Sequence, residues 1–437
     1  MKISVTSSAM VGPNAETPSE CMWLTNLDLV MPTNYHTRTV YYYRYDGAAK
    51  FFHTTVLKAA LSRALVEFYP MAGRLTTENG RIAIDCNGEG VLFVEAECDG
   101  EINDMGDFAP RPELGLTPMT DYALGISTFP LSMMQVTRFK CGGVCLGVAV
   151  HHHAADGISG IHFINTWSDL ARAGNDVTIK IQPPFLDRTV FCARDPPQPQ
   201  FAHSEYHRPT TAPQPNSGDT SKTKYCFFKL TPNHIKTLKA KVNNNNDDAN
   251  RSSYTTYEAL AGHVWRCVSK ARNLPEDQET KLYVTTDGRS RLRPPLPVGY
   301  FGNVVFWAPA VAPSGELWSD HVRSAAGKVR EAIAGMDNEY LRSANDYLEV
   351  KRDVIGEIAL DENTYKNPNI GIISWLRLPV YDADFGWGKP VYMGLDRPSP
   401  EGECHFLPTP VCDGSLLVSI TLVIEHMHLF QKLLYQI

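Results

Sequence analysis

Residues 147–160 read GVAVHHHAADGISG, with three adjacent histidines and Asp156 three residues beyond the last of them. A neutral imidazole, with an ordinary pKa of ~6.5, accepts a proton at neutral pH and can act as a general base. If the segment stays extended, His151 and His153 point one way and His152 the other. Two histidines from one strand do not complete a tetrahedral metal site, and no HExxH or CxxC supplies further ligands. Metal is therefore not expected, which leaves proton transfer or plain core filling. His152, Asp156 and Gly157 form H-x-x-x-D-G, in which the acid either orients the ring or braces the turn. A second stretch, DFGWG at 384–388, adds Asp384 and two glycines, Gly386 and Gly388, that permit backbone conformations closed to other residues.

The elements that must hold these groups are legible around them. MMQVTRFK, Gly142–Gly143 and VCLGVAV predict a hairpin whose second strand runs into the histidines. After Asp156, Ile161, Ile164, Leu170 and Ala171 give a helix face that stops at Gly174. The histidines thus stand at a strand-to-helix junction. Leu57, Leu61, Ala64, Leu65 and Phe68 recur at helical spacing before Pro70. RIAIDC and GVLFVEA, around Asn87–Gly90, predict another hairpin. Residues 193–222 are rich in proline and polar residues without periodicity and read as a long linker; NNNNDDAN at 243–250 reads as an exposed loop. Short strands alternating with helices in both halves predict mixed α/β layers.

The chain has 437 residues, 43% hydrophobic and 20% charged, which suits a globular protein of two domains or one large one. Its net charge of -7 shows no basic stripe, so no nucleic-acid partner is expected. No run approaches the ~18 apolar residues of a membrane span. The N-terminal MKISVTSSAMVGPNAETP lacks the apolar core of a secretory signal. Ten cysteines without CxxC spacing point to a reduced, cytoplasmic protein.

The pair HxxxDG near residue 150 and DFGWG near residue 385 resembles the plant BAHD acyltransferases. The likeness runs end to end through YPMAGRL at 69–75, CNGEGVLFVEA at 86–96, YEALAGHVWR at 257–266, DGRSRLRPPLP at 287–297 and GYFGN at 299–303. It is strongest toward the hydroxycinnamoyl-CoA transferases. The resemblance implies two chloramphenicol-acetyltransferase-like domains of similar size, 1–192 and 223–437. Each is a mixed sheet flanked by helices, the two are joined by a crossover loop at 193–222, and a channel lies between them. It implies a CoA thioester as co-substrate, no cofactor, and a monomer. It makes His152 the general base and Trp375, in GIISW, the donor to the oxyanion. Asp156 and Asp384 become structural, Asp156 pairing with Arg289 or Arg291. Ser253, Thr256, Tyr257 and Arg289 become candidates for CoA contact, since hydroxyl and guanidinium donors suit phosphate.

The acceptor pocket departs from the shikimate-type pattern. The arginine that holds the acceptor carboxylate in those members falls at Leu360, and the threonine of GITSW is Ile373. Losing a bidentate cation could cost ~1.5–3 kcal/mol of carboxylate binding. Rosmarinic acid synthases share the isoleucine and lack that arginine. WLTNLDL at 23–29, NYHT at 34–37, GDFAPRPEL at 106–114 and ETKLYV at 279–284 also match them, although HHAADG here replaces their frequent HHLSDG. Their acceptor, 4-hydroxyphenyllactate, carries a flat ring that an apolar Ile373 would suit. Thr39 and Tyr41, with His36 just before them, occupy positions that line the acceptor pocket in relatives. Alternation puts Arg38 opposite Thr39 and Tyr41. The expected reaction is caffeoyl or p-coumaroyl transfer to hydroxyphenyllactate, with shikimate or quinate as the alternative acceptor. A catalytically silent binding relative is the alternative of another class, which release of CoA would exclude. A metal hydrolase is a further reading, which chelator-insensitive activity would end.

Overall fold

The computed structural model describes the chain except residues 175, 177, 208–221, 245–251, 320–321, 359–362 and 412. Its strands run in chain order as β1 (Ile3–Val11), β2 (Cys21–Trp23), β3 (His36–Tyr43), β4 (Arg74–Glu78), β5 (Arg81–Asp85), β6 (Val91–Cys98), β7 (Ser132–Phe139) and β8 (Val144–His151). The second half adds β9 (Thr223–Leu230), β10 (Glu279–Asp287), β11 (Val305–Pro313), β12 (Ile370–Ser374), β13 (Tyr392–Leu395), β14 (Glu403–Pro408) and β15 (Leu416–Val423). They form two six-stranded mixed sheets, β1-β6-β7-β8-β3-β13 and β11-β10-β12-β14-β15-β9, and a small sheet β2-β5-β4.

Each large sheet is covered by amphipathic helices. Helices Thr54–Glu67 and Gly157–Ala173 bury Leu57, Leu61, Ile164 and Trp167 in one core. The Trp167 indole N–H is matched by the carbonyl of Leu57 at 2.9 Å, so a large ring is buried without an orphaned donor. Helices Thr256–Ala271 and Val322–Ala334 bury Leu260, Val264, Ala325 and Val329 in the other. The mixed α/β architecture expected from the alternation of elements is therefore present.

Three expectations need correction. β5 and β6 are not a hairpin: β5 pairs with β2 and β4, while β6 pairs with β1 and β7. The turn signal between them marks a change of sheet. The two halves are also not separate in sequence. β13, buried along its whole length, leaves the second half and pairs antiparallel with β3 at the edge of the first sheet. Finally, residues 193–207 are fastened rather than free. Arg194 and the backbone N–H of Gln198 bind Asp346, His203 meets Ser343 at 2.7 Å, and His203, Glu205 and Tyr206 are buried. Proline explains the missing periodicity without implying a loose chain. The rest of the expected linker and most of the asparagine-rich tract lie outside the described residues.

Candidate active site

β8 ends at His151, but its ladder continues one step, His152 N–H donating to the Tyr35 carbonyl at 3.1 Å. Alternation then separates the three histidines as expected. His151 and His153 are fully buried, and His152 is half-buried. His151 is held by the Thr33 carbonyl at 3.0 Å, and burial lowers its pKa to about 4. Burial likewise keeps His153 well below the usual histidine range. These two are core histidines. Among the described residues no group of three or more His, Cys, Asp or Glu is placed to hold a metal ion.

His152 is held differently. Its Nδ1 lies 3.0 Å from Oδ1 of Asn303. The Asn303 amide nitrogen donates to the His152 carbonyl at 2.7 Å and to Asp28 Oδ1 at 2.8 Å. With both acceptors on that side, Oδ1 is left to accept, so Nδ1 carries the hydrogen and Nε2 carries the lone pair. Burial lowers the His152 pKa, against opposing pulls from Asp156, Asn303 and Asp28. At neutral pH the ring is therefore an uncharged base with one fixed tautomer.

Asn303 is itself anchored in a buried ion pair. Asp28 accepts from the Asn303 backbone N–H at 2.8 Å and from both Thr25 N–H and Thr25 Oγ1 at 2.8 Å. Arg188 Nη1 lies 3.0 Å from Asp28 Oδ2 with both side chains essentially inaccessible. The same guanidinium donates to the carbonyls of His153, Ala154 and Phe301. Residues 153–154 and 301–303, far apart in sequence, are thus tied through one charge pair. Replacing Asn303 by alanine frees the ring to rotate; about a 10²-fold loss in kcat is expected with the acyl-donor KM unchanged, measured by CoA release.

The spacing of Asp156 from His152 has a simple cause. Asp156 is the N-cap of helix Gly157–Ala173, accepting from Ser159 N–H at 3.0 Å. Arg289, not Arg291, is its partner, in a bidentate pair at 2.8 and 3.0 Å. Burial pushes the Asp156 carboxyl up, but Arg289 and the two backbone donors outweigh it, and its pKa is lowered. Arg291 instead caps the carbonyls of Ile333 and Met336. The CoA role anticipated for Arg289 needs correction. Its guanidinium is committed to Asp156, Asp287, Ser159 and Gly302.

Asp384 also serves the backbone. Its Oδ1 accepts from the N–H of Gly386 and Gly388 at 2.9 and 3.0 Å, and both glycines have φ above +90°. A side chain at either would be strained. Phe385 from this loop is buried against Trp167, Tyr43 and Phe52.

His36 lies on the face of the sheet opposite His152. Its Nδ1 meets Tyr122 at 2.8 Å, its Nε2 meets the Pro130 carbonyl at 3.0 Å, and burial lowers its pKa to about 3. Alternation puts it on the face opposite Thr39 and Tyr41. Those two are buried on one face of β3. Ile373 is half-buried and sits in register with His405, as Gly371 does with Glu403. Trp375 is buried with its ring 5.7 Å from that of His405. Leu360 lies outside the described residues. Ser253 precedes helix Thr256–Ala271, Thr256 opens it, and Tyr257 stands on its first turn with a hydroxyl that has no partner among the described residues.

The model of the Transferase family matches residues 1–437. The chain belongs to the BAHD Transferase family. This family member is an acyl-CoA-dependent acyltransferase. It is 56% identical over 442 residues to the shikimate O-hydroxycinnamoyltransferase of Nicotiana tabacum, and 50% identical over 438 residues to the rosmarinate synthase of Plectranthus scutellarioides. Both alignments cover 100% of each chain. The crystal structure of vinorine synthase superposes with a TM-score of 0.73 at 21% identity, covering 98% of this chain and 96% of that one, which supports the BAHD fold. Among the described residues no helix is long and apolar enough to cross a membrane.

Asn303, Asp28, Arg188 and Tyr35 are functional neighbours that residue patterns did not single out. Asn303 and Asp28 lie inside the family-like stretches GYFGN and WLTNLDL, which was the available signal. Their polar roles depend on partners more than 100 residues away.

Proposed function

We propose that this BAHD enzyme transfers a hydroxycinnamoyl group, caffeoyl or p-coumaroyl, from its CoA thioester to the hydroxyl of a 4-hydroxyphenyllactate-type acceptor. The observation that carries the reading is the half-buried His152, whose tautomer Asn303 sets with Nε2 unprotonated. Nε2 takes the acceptor's hydroxyl proton as the oxygen attacks the thioester carbon. The C–S bond of the resulting tetrahedral intermediate then breaks, and the imidazolium returns its proton to the departing CoA thiolate. No acyl-enzyme forms. The oxyanion requires a donor, and the indole N–H of Trp375 is proposed for it. CoA phosphate is proposed to meet the start of helix Thr256–Ala271 at Ser253, Thr256 and Tyr257, whose hydroxyls offer donors beside the Thr255–Glu258 capping box.

Ile373, half-buried on β12 in register with His405, supports an acceptor with an apolar ring, and Thr39 and Tyr41 are proposed to complete the pocket. The 56% identity to the tobacco relative named for shikimate favours a second reading, transfer to shikimate or quinate. A competition assay with p-coumaroyl-CoA and equal 4-hydroxyphenyllactate, shikimate and quinate separates them. The hydroxyphenyllactate ester is expected to dominate. A dominant shikimate or quinate ester moves the acceptor to the second reading.

A further inference from the structure

A hydroxy-acid acceptor brings a carboxylate, and the position that supplies its cation in shikimate-type members is Leu360 here. Besides Arg188 and Arg289, which are already paired with Asp28 and Asp156, Arg38 and Arg397 lie on or just beyond the strands next to the one that ends at the base. β8, β3 and β13 are neighbours, and their register sorts these side chains. Tyr35 lies opposite His152, Thr39 opposite Leu395, and Arg38 opposite Asp396, whose N–H donates to the Arg38 carbonyl. By alternation His152, Tyr35, Thr37 and Arg397 share one face, and His36, Arg38 and Asp396 share the other.

The side chains follow that rule. The Tyr35 ring lies 5.9 Å from the His152 ring, and the Arg397 guanidinium carbon lies 5.1 Å from the Tyr35 centroid on a cation–π contact. Arg38 is buried and directs Nη1 to the Met119 sulfur. Arg397 is exposed and forms no ion pair with a carboxylate of the described residues. Its charge acts on two carboxyls, Asp396 and Glu403; burial raises both against that pull, Glu403 to about 7. Glu403 and His405 lie in register with Gly371 and Ile373 on the facing sheet. A cation is thus held over an aromatic plate on the face that presents the base.

We propose that Arg397 is the cation that holds the acceptor's carboxylate in this chain, one tyrosine ring away from His152. Arg397 binds and positions the acceptor and takes no part in proton transfer. The assignment rests on the hydroxy-acid reading of the function.

The test is steady-state kinetics of the full chain with p-coumaroyl-CoA. The acceptors are 4-hydroxyphenyllactate, shikimate, and 2-(4-hydroxyphenyl)ethanol, which lacks a carboxylate. Arg397→Ala is expected to raise the KM of whichever carboxylate acceptor the wild type uses by about 10- to 100-fold. The KM for p-coumaroyl-CoA is expected to stay constant. The kcat/KM for 2-(4-hydroxyphenyl)ethanol is expected to agree between wild type and variant within about twofold. Arg397→Lys, which keeps charge but loses the bidentate fork, is expected to fall between. A change of less than about threefold for the carboxylate acceptor, or an equal change for all acceptors, overturns the assignment. A wild type that esterifies none of the three overturns the functional reading with it. That result is distinct from an active wild type indifferent to Arg397→Ala.

Discussion

His152→Ala is expected to lose nearly all acyl transfer, about 10²–10⁴-fold in kcat/KM, while the chain remains folded. The ring is half-buried and among the described residues its side chain bonds to Asn303, which keeps its bonds to Asp28 when the ring is gone. Unfolding midpoint and circular dichroism should therefore stay close to wild type while CoA release from p-coumaroyl-CoA collapses. The wild-type pH profile carries a second signature. Burial lowers the His152 pKa, so the neutral, active form persists below the ordinary ~6.5. The acid limb of kcat/KM should accordingly fall below that value and vanish in the variant. Near-normal turnover by His152→Ala would remove the proposed base.

Asp156→Ala is expected to act on the fold first. It strips the carboxylate from a buried bidentate pair and the cap from helix Gly157–Ala173. Breaking one side of such a pair costs about 3–5 kcal/mol, and losing a cap about 1 kcal/mol, the two not being independent. Asp287 stays 2.9 Å from Arg289 and keeps the loss toward the lower end. Urea unfolding should show a lower midpoint at unchanged slope. The sign with pH follows from the lowered pKa of Asp156. Its contribution is fully present above the unfolded value of ~3.9 and is lost as pH falls through the lower folded value. Asp156→Asn, which keeps a capping oxygen, should lose less stability and retain turnover within about tenfold. A stable Asp156→Asn with no turnover would give the aspartate a chemical role instead.

The three histidines show how far local rules reach. Period-two alternation was enough to separate His152 from His151 and His153, because a strand offers only two faces. The same rule, applied to β3, places Arg38 and His36 together, away from Thr39 and Tyr41. His36 was grouped with the pocket by nearness in sequence, and the register of β3 with β8 puts it on the other side. The H-x-x-x-D spacing reads as a helix start once the strand, the cap and the apolar helix face are taken together.

Other features had no local signature. Nothing in RIAIDC or GVLFVEA states that one strand leaves for another sheet, because pairing partners are chosen by the burial of a whole face. YMGL gives no sign that it crosses to the first sheet, though its continuous apolar run suits a strand buried on both faces. Proline and polar content in 193–207 looked like a linker because backbone anchoring by Asp346 and Ser343 leaves no periodic trace.

Residue types and their order determined the mixed α/β class, the strand-to-helix junction, the face on which His152 stands and the turn and cap positions of Asp384 and Asp156. These depend on short-range stereochemistry: alternation along a strand, capping of a helix, and positive φ at glycine. Tertiary structure alone decided which nitrogen of His152 is free, which arginine neutralises Asp156, and which cation shares the base's face. Each depends on groups brought together from segments more than 130 positions apart, where burial removes water and makes the few partners within reach decisive.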